Sequence, residues 1–119
     1  MTTREEVLSY VENNYQTKPE MTFKKFPTYC ILRHKDNNKW YGLIMNVSKR
    51  KIGIASDEKI DIFDVKVEPE LIGALLQKEG YHPGYHMNKT HWNTINVNNT
   101  DLTYDGLIQM INESNALTK

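Results

Sequence analysis

The sequence has little cysteine, glycine or proline, and it has no long apolar run. Of its 119 residues only one is cysteine, six are glycine and four are proline. A single cysteine excludes an internal disulfide. The glycine and proline counts are too low for a low-complexity chain. No stretch approaches the roughly 20 apolar residues of a membrane-spanning helix. We therefore expect one ordered domain over residues 1–119, without a membrane segment, in the reducing cytoplasm.

An excess of charge of one sign is also absent. Fifteen lysines and arginines balance fifteen aspartates and glutamates, so the chain as a whole has no long-range attraction for polyanions. The distribution along the chain is uneven, however. Residues 18–51 hold nine basic residues against two acidic ones, whereas residues 52–119 hold five basic and ten acidic residues. The first segment therefore permits a basic face on the folded protein.

Helix signals occur at three places in the chain. Thr3 and Glu6 have the spacing of a capping box ahead of apolar residues at helical spacing. Pro69 suits the first turn of a second helix, which Gly80 would end. Thr103 suits the cap of a third helix. These patterns predict helices that begin just after Thr3, at Pro69 and just after Thr103.

Segments rich in β-branched and aromatic residues lie between these helices, at residues 29–33, 40–47 and 60–67. Two further short strands flank a tight connection near Lys89. Residues 52–55 are compatible with a separate strand or with an extension of a neighbouring one. The order α-β-β-β-α-β-β-α predicts an α+β fold in which an antiparallel sheet packs against the helices.

One segment carries a family resemblance. Residues 84–92 read Gly-Tyr-His-Met-Asn-Lys-Thr-His-Trp, which closely resembles the most distinctive signature of the MmcQ/YjbR family. The matching signature residues are Tyr85, His86, Met87, Asn88, Lys89, His91 and Trp92. Residues 33–35, 39–41, 65–70 and 107–117 resemble other parts of the family pattern, including a closing helix with a serine near its end. The resemblance covers most of the chain from about residue 29.

This resemblance implies a compact α+β domain, related in outline to CyaY-like and secretion-chaperone-like folds. The family is described as a double-wing arrangement that is proposed to bind DNA. Basic residues in the expected turns offer contacts to DNA phosphates, each of which can release a counterion. The predicted nucleic-acid contacts are Lys24, Lys25, Lys49, Arg50 and Lys51 in the turns, and Asn88 and Lys89 in the second wing. Basic turns are also ordinary solvated surface.

Two other functions compete with binding of duplex DNA. A protein-interaction module would use a face or an edge of the sheet for a protein partner. An enzyme is the third interpretation, but the sequence holds no nucleophile elbow, phosphate-binding glycine-rich loop or paired-carboxylate motif. We therefore expect no catalytic residues and no small-molecule cofactor.

The histidines, the cysteine and the tryptophans each allow a structural interpretation. His82, His86 and His91 invite a metal site, but no Asp, Glu or Cys lies between the first two to complete a ligand set, and a structural turn is favoured. Cys30 has an apolar context that favours buried packing. Trp92 could stack on bases, although large aromatic residues on strands are more often core. We expect no bound metal and a largely buried Trp92.

Overall fold

The computed structural model describes residues 2–21, 23–99 and 102–119. Its elements follow the predicted order. They are α1 (Arg4–Tyr15), β1 (Cys30–Arg33), β2 (Trp40–Ser48), β3 (Lys59–Lys66), α2 (Ile72–Leu75), β4 (Tyr81–Pro83), β5 (Trp92–Asn96) and α3 (Tyr104–Leu117). Short 3-10 turns, Lys49–Ile52 and Pro69–Leu71, precede β3 and α2. None of the helices in these ranges is long and apolar enough to cross a membrane.

The five strands form one antiparallel sheet in the order β1-β2-β3-β5-β4. The central strand β3 pairs Phe63 with Ile44 of β2 and Asp64 with Thr94 of β5. Because successive side chains of a strand point to opposite faces, these neighbouring pairs lie on opposite sides of the sheet. The α+β fold with an antiparallel sheet is therefore confirmed.

The larger apolar cluster lies between one face of the sheet and the helices α1 and α3. Val7 and Val11 of α1 and Leu107 and Ile111 of α3 pack with Phe63 and other strand residues. Each of these helix residues is at most 1% exposed, and burying a side chain of this size contributes about 1.5–3 kcal/mol. This face holds the helices in place and is closed to solvent.

A smaller cluster covers the opposite face. It contains Tyr29, Ile31, Leu43, Met45, Val47, Ile60 and Ile62. The partly buried residues that pack against it include Phe23 from the loop before β1 and Tyr85 and Met87 from the β4–β5 connection. Loops rather than α1 and α3 therefore shape the surface on this side of the sheet.

The helix caps agree with the sequence patterns, but α2 is shorter than expected. The Glu6 amide donates to Thr3 Oγ1 at 3.3 Å, and the Thr3 amide donates to Glu6 Oε1 at 3.1 Å.

In the second helix only Ile72–Leu75 is α-helical, and Leu71 is 46% exposed. A glycine, Gly73, lies inside this segment, where its backbone freedom opposes helix formation.

Residues 52–55 are not a strand. Ile52 ends the 3-10 turn after β2, whose first turn is capped by the Ser48 hydroxyl as it accepts the Arg50 amide at 3.2 Å. Gly53 follows with φ of +86°, a conformation that glycine adopts at little cost. The chain therefore reverses here before β3 begins at Lys59.

The closing helix is joined to the sheet by a buried serine. Ser114 Oγ donates to the Tyr41 carbonyl at 2.7 Å and accepts the Lys66 amide at 2.8 Å. One hydroxyl thus connects α3 to both β2 and β3.

Candidate nucleic-acid interface

A basic groove lies on the side of the sheet that the loops cover. Its walls come from the loop before β1, the end of β2 with the following 3-10 turn, the start of β3 and the β4–β5 connection. Its volume is about 480 Å³. We call it the lysine groove, after the residues that give it its character: Lys25, Lys51 and Lys59, with the rings of Phe26, Tyr85 and His86.

Two parts of the chain that are distant in sequence bring the lysines together, namely the loop before β1 and the connection between β2 and β3. Lys25 lies in a turn before β1, Lys51 lies in the 3-10 turn after β2, and Lys59 is the first residue of β3. The strand register places Lys59 opposite Ser48, the last residue of β2. All three lysines are exposed, and the described lining residues include no aspartate or glutamate. The groove is therefore positively charged, although the chain has no net charge.

Aromatic rings form part of the groove wall. Phe26 stacks on Tyr29 with 4.8 Å between ring centroids and 19° between ring planes. The His86 ring lies 3.9 Å from that of Tyr85 and 6.3 Å from that of Tyr29. Burial, followed by the neighbouring Tyr85, raises the pKa of Tyr29, so this phenol stays neutral at physiological pH.

The other predicted contacts in the turns have different surroundings. Lys49 Nζ lies 3.1 Å from Glu58 Oε1, and Arg50 Nε lies 2.5 Å from Asp57 Oδ1. Lys24 is exposed in the same turn as Lys25 but does not line the groove. The structure therefore brings Lys25 and Lys51 together and pairs Lys49 and Arg50 with carboxylates.

Asn88 and Lys89, two polar residues of the signature, form hydrogen bonds within the β4–β5 connection. Asn88 Oδ1 accepts the Thr90 amide at 2.8 Å, and the Asn88 carbonyl accepts the Trp92 amide at 3.0 Å. Lys89 Nζ donates to the Gly84 carbonyl at 2.9 Å. The side chains of Asn88 and Lys89 are thus engaged in shaping the β4–β5 connection.

Gly84 and His86 explain why this loop has its particular sequence. A Cβ atom on Gly84 would lie 2.8 Å from the Trp92 carbonyl oxygen, so the backbone can approach β5 this closely only at a glycine. His86 has φ of +64°, in the left-handed region that histidine tolerates better than most residues. This conformation leaves His86 exposed beside Tyr85, which packs on the sheet.

Trp92 does not occupy the core position that we expected. It is only partly buried and belongs to neither of the two core clusters. The reason is its place as the first residue of β5, opposite Lys66 near the end of β3. The next residues, Asn93 to Val97, are buried. The buried part of this segment therefore begins at Asn93 rather than at Trp92.

Asp64 is a buried carboxylate that the sequence reasoning did not single out. It is 0% exposed, and burial raises its pKa to about 7, while the Thr94 hydrogen bond and nearby Lys89 oppose that rise. Asp64 Oδ2 has no hydrogen-bond partner among the described residues. Its burial could have been predicted from the sequence, because Asp64 lies inside the apolar run of β3, where the neighbouring residues are Ile, Phe and Val.

His82, His86 and His91 lie in different surroundings. His86 and His91 are exposed, whereas His82 lies partly buried in β4, where desolvation lowers its pKa and Glu79 opposes this. Within residues 2–21, 23–99 and 102–119, no three His, Cys, Asp or Glu side chains are grouped to hold a metal ion. Cys30 is buried in the larger cluster, as expected for a packing residue, and Arg4 Nη2 donates to its sulfur at 2.9 Å.

Known proteins resemble this chain over almost its whole length. A crystal structure of a protein from Pseudomonas syringae has a TM-score of 0.95 and 43% identity, covering 98% of this chain and 99% of that one. The crystal structure of Deinococcus radiodurans protein DR2400 has a TM-score of 0.73 at 21% identity, covering 98% and 78% of the two chains, and shares the fold.

Sequence relatives agree with the resemblance of the signature segment. The uncharacterized protein YyaQ of Bacillus subtilis (strain 168) is 42% identical over 119 residues, which is 100% of both chains. The model of the family described as YjbR matches residues 12–117. This match covers the signature loop, the sheet and the closing helix, and the chain therefore belongs to the YjbR family.

Proposed function

We propose that this protein binds DNA through phosphate contacts in the lysine groove. The observation that supports this proposal is the convergence of Lys25, from the loop before β1, with Lys51 and Lys59, from the two sides of the β2–β3 connection. No carboxylate is among the described residues that line the groove. Each lysine that neutralises a phosphate releases a condensed counterion, which favours binding without any contact to a base edge.

The groove is better suited to phosphates than the other predicted contacts. Lys49 and Arg50 already have carboxylate partners. Ion pairs at the protein surface contribute only about 0.2–1 kcal/mol, so these carboxylates weaken a phosphate contact rather than prevent it. Asn88 and Lys89 hold the β4–β5 connection, and their role in binding is therefore indirect.

Binding should be weak and should depend little on DNA sequence. The chain has no net charge, and only a few phosphates can meet the three lysines. At physiological salt we expect a dissociation constant of about 10⁻⁴ to 10⁻⁶ M, the range of non-specific complexes. This function requires no catalytic step and no small-molecule cofactor.

The test is the salt dependence of binding to an unrelated DNA duplex. Replacing Lys25, Lys51 and Lys59 together by alanine should flatten the plot of log affinity against log salt by about 0.9 per lost contact, and so by two units or more. The double replacement of Lys49 and Arg50 should flatten it less.

A matched control removes the same charge elsewhere. Lys35, Lys39 and Lys78 are exposed and lie outside the groove, so their replacement by alanine should leave most of the slope. Equal flattening by both triple variants, or no measurable association at low salt, would reject the groove as a DNA site.

Protein interaction is the second candidate function, and an exposed apolar patch favours it. Leu71 is 46% exposed and shares a shallow groove with Ala116 and Leu117, bordered by Glu68 and Glu113. Such a patch suits an apolar segment that carries basic residues. If DNA binding fails its test, the variant Leu71→Asp should lose a protein partner that the unaltered protein binds. If the variant binds the same proteins as the unaltered protein, this patch is not a protein-binding surface.

A further inference from the structure

We propose that the lysine groove holds single-stranded DNA, with unpaired bases stacked on Phe26 and His86. This inference rests on the proposed function and deepens it, since it names the form of nucleic acid that the groove accepts. Base stacking depends on the aromatic rings and phosphate binding depends on the lysines, so the two can be tested separately.

Phe26 has the properties of a stacking platform. It is a large apolar side chain in the loop before β1, and it is 48% exposed. Its inner face stacks on Tyr29, which is 7% exposed and anchored in the smaller core cluster. The ring is therefore supported from below, so that a base could stack on it without first immobilising the side chain.

His86 offers a second ring in the same groove. Its ring centroid lies 3.9 Å from that of Tyr85 and 6.3 Å from that of Tyr29, so the rings of Phe26, Tyr29, His86 and Tyr85 form one cluster whose exposed members are Phe26 and His86. The left-handed backbone at His86 and the hydrogen bond from the Tyr85 amide to Thr94 Oγ1 at 2.7 Å hold this part of the loop. Both outer rings are thus positioned before any ligand binds.

The combination of rings and lysines favours an unpaired strand over a duplex. A duplex hides the faces of its bases inside the stack and offers only phosphates and base edges to a protein surface. A single strand offers base faces and phosphates together, and proteins bind it through aromatic stacking inside a positively charged groove. The lysine groove provides both features within about 480 Å³.

The experiment compares three fluorescently labelled probes of equal length: oligothymidylate, an abasic DNA strand and a blunt duplex. The unaltered protein should bind oligothymidylate more tightly than either of the others. Phe26→Ala and His86→Asn should each weaken oligothymidylate binding by about 5- to 150-fold, the usual range for one lost base stack. Asparagine removes the ring at position 86 but tolerates its left-handed backbone. Binding of the abasic strand and the slope against salt should not change.

Two variants serve as controls. Phe26→Tyr keeps a stacking ring and should restore binding of oligothymidylate. Tyr104→Ala removes an aromatic residue of similar exposure, 39%, that lies outside the groove, and it should leave binding unchanged. Because Phe26 and His86 are exposed, their variants should keep the unfolding midpoint of the unaltered protein, and a large fall would identify a structural role instead.

The outcomes separate this inference from the proposed function. Equal binding of the abasic strand and oligothymidylate, or no effect of Phe26→Ala, would overturn the stacking inference while phosphate binding stands. Absence of binding to all three probes at low salt would overturn both. A fourth probe, oligouridylate of the same length, tests the choice of DNA over RNA, and tighter binding of oligouridylate than of oligothymidylate would overturn the assignment to DNA.

Discussion

Thr94 donates its hydroxyl hydrogen to the carboxylate of Asp64, directly across β5 and β3, and both side chains are fully buried. The same Thr94 oxygen accepts the Tyr85 amide at 2.7 Å. The central strand is thereby linked through two hydrogen bonds to the loop that carries His86. The protonation state of Asp64 consequently bears on the stability of the sheet and of one wall of the lysine groove.

The first prediction is that stability falls as pH rises from about 4 to about 7 because of Asp64. Its pKa is about 7 in the folded protein, raised by burial from an ordinary value of 3.8. The folded state therefore keeps this proton when the unfolded state has lost it, and the stabilisation is complete below about pH 4 and is lost by about pH 7. The change amounts to about 4 kcal/mol at most.

Asp64→Asn is the variant that isolates this effect, because the amide oxygen can still accept the Thr94 hydrogen bond. The free energy of unfolding from urea titrations should depend less on pH in this variant than in the unaltered protein. Asp57→Asn is the control, since that carboxylate is 82% exposed. An equally steep decline in Asp64→Asn would show that another group governs the pH dependence.

The second prediction concerns the serine that connects α3 to the sheet. Ser114→Ala leaves the Lys66 amide and the Tyr41 carbonyl without this partner, and the loss should lower the free energy of unfolding by about 1–3 kcal/mol. Ser9→Ala changes an exposed serine of α1 and should have little effect. Equal stability of the two variants in chemical denaturation would contradict the prediction.

Lys89 should act on stability rather than on DNA affinity. Lys89→Ala removes the hydrogen bond to the Gly84 carbonyl and a positive charge that lowers the pKa of Asp64. We expect a loss of about 1 kcal/mol in the free energy of unfolding, with the salt dependence of DNA binding unchanged. A flattened salt slope with unaltered stability would instead make Lys89 a direct phosphate contact.

The last prediction compares two aromatic residues of the sheet. Phe63 is 0% exposed in the larger cluster, and Phe63→Ala should cost about 3–5 kcal/mol. Trp92 is only partly buried at the start of β5, so Trp92→Ala should cost less, about 1–3 kcal/mol. Thermal or chemical unfolding of both variants tests the order, and a larger loss for Trp92 would contradict it.

The sequence by itself determined the local elements of this protein. The capping box at Thr3 and Glu6 and the cap at Thr103 mark helix starts through hydrogen bonds within four residues. The alternation of polar turns with β-branched and aromatic segments marks the strands in the same local way. The signature of residues 84–92 likewise identified the family from contiguous residues.

Only the tertiary structure decided what these elements bring together. Lys51 and Lys59 lie close together because β2 and β3 pair in a register that sets Ser48 opposite Lys59. Lys25 joins them because the Thr28 hydroxyl bonds to the backbone of Asn46 in β2, whereas the sequence prediction grouped Lys51 with its immediate neighbours. The burial of Asp64 and the partial exposure of Trp92 follow from the neighbours that the sheet gives them. Such positions depend on contacts between distant residues, which the spacing of residues along one segment does not encode.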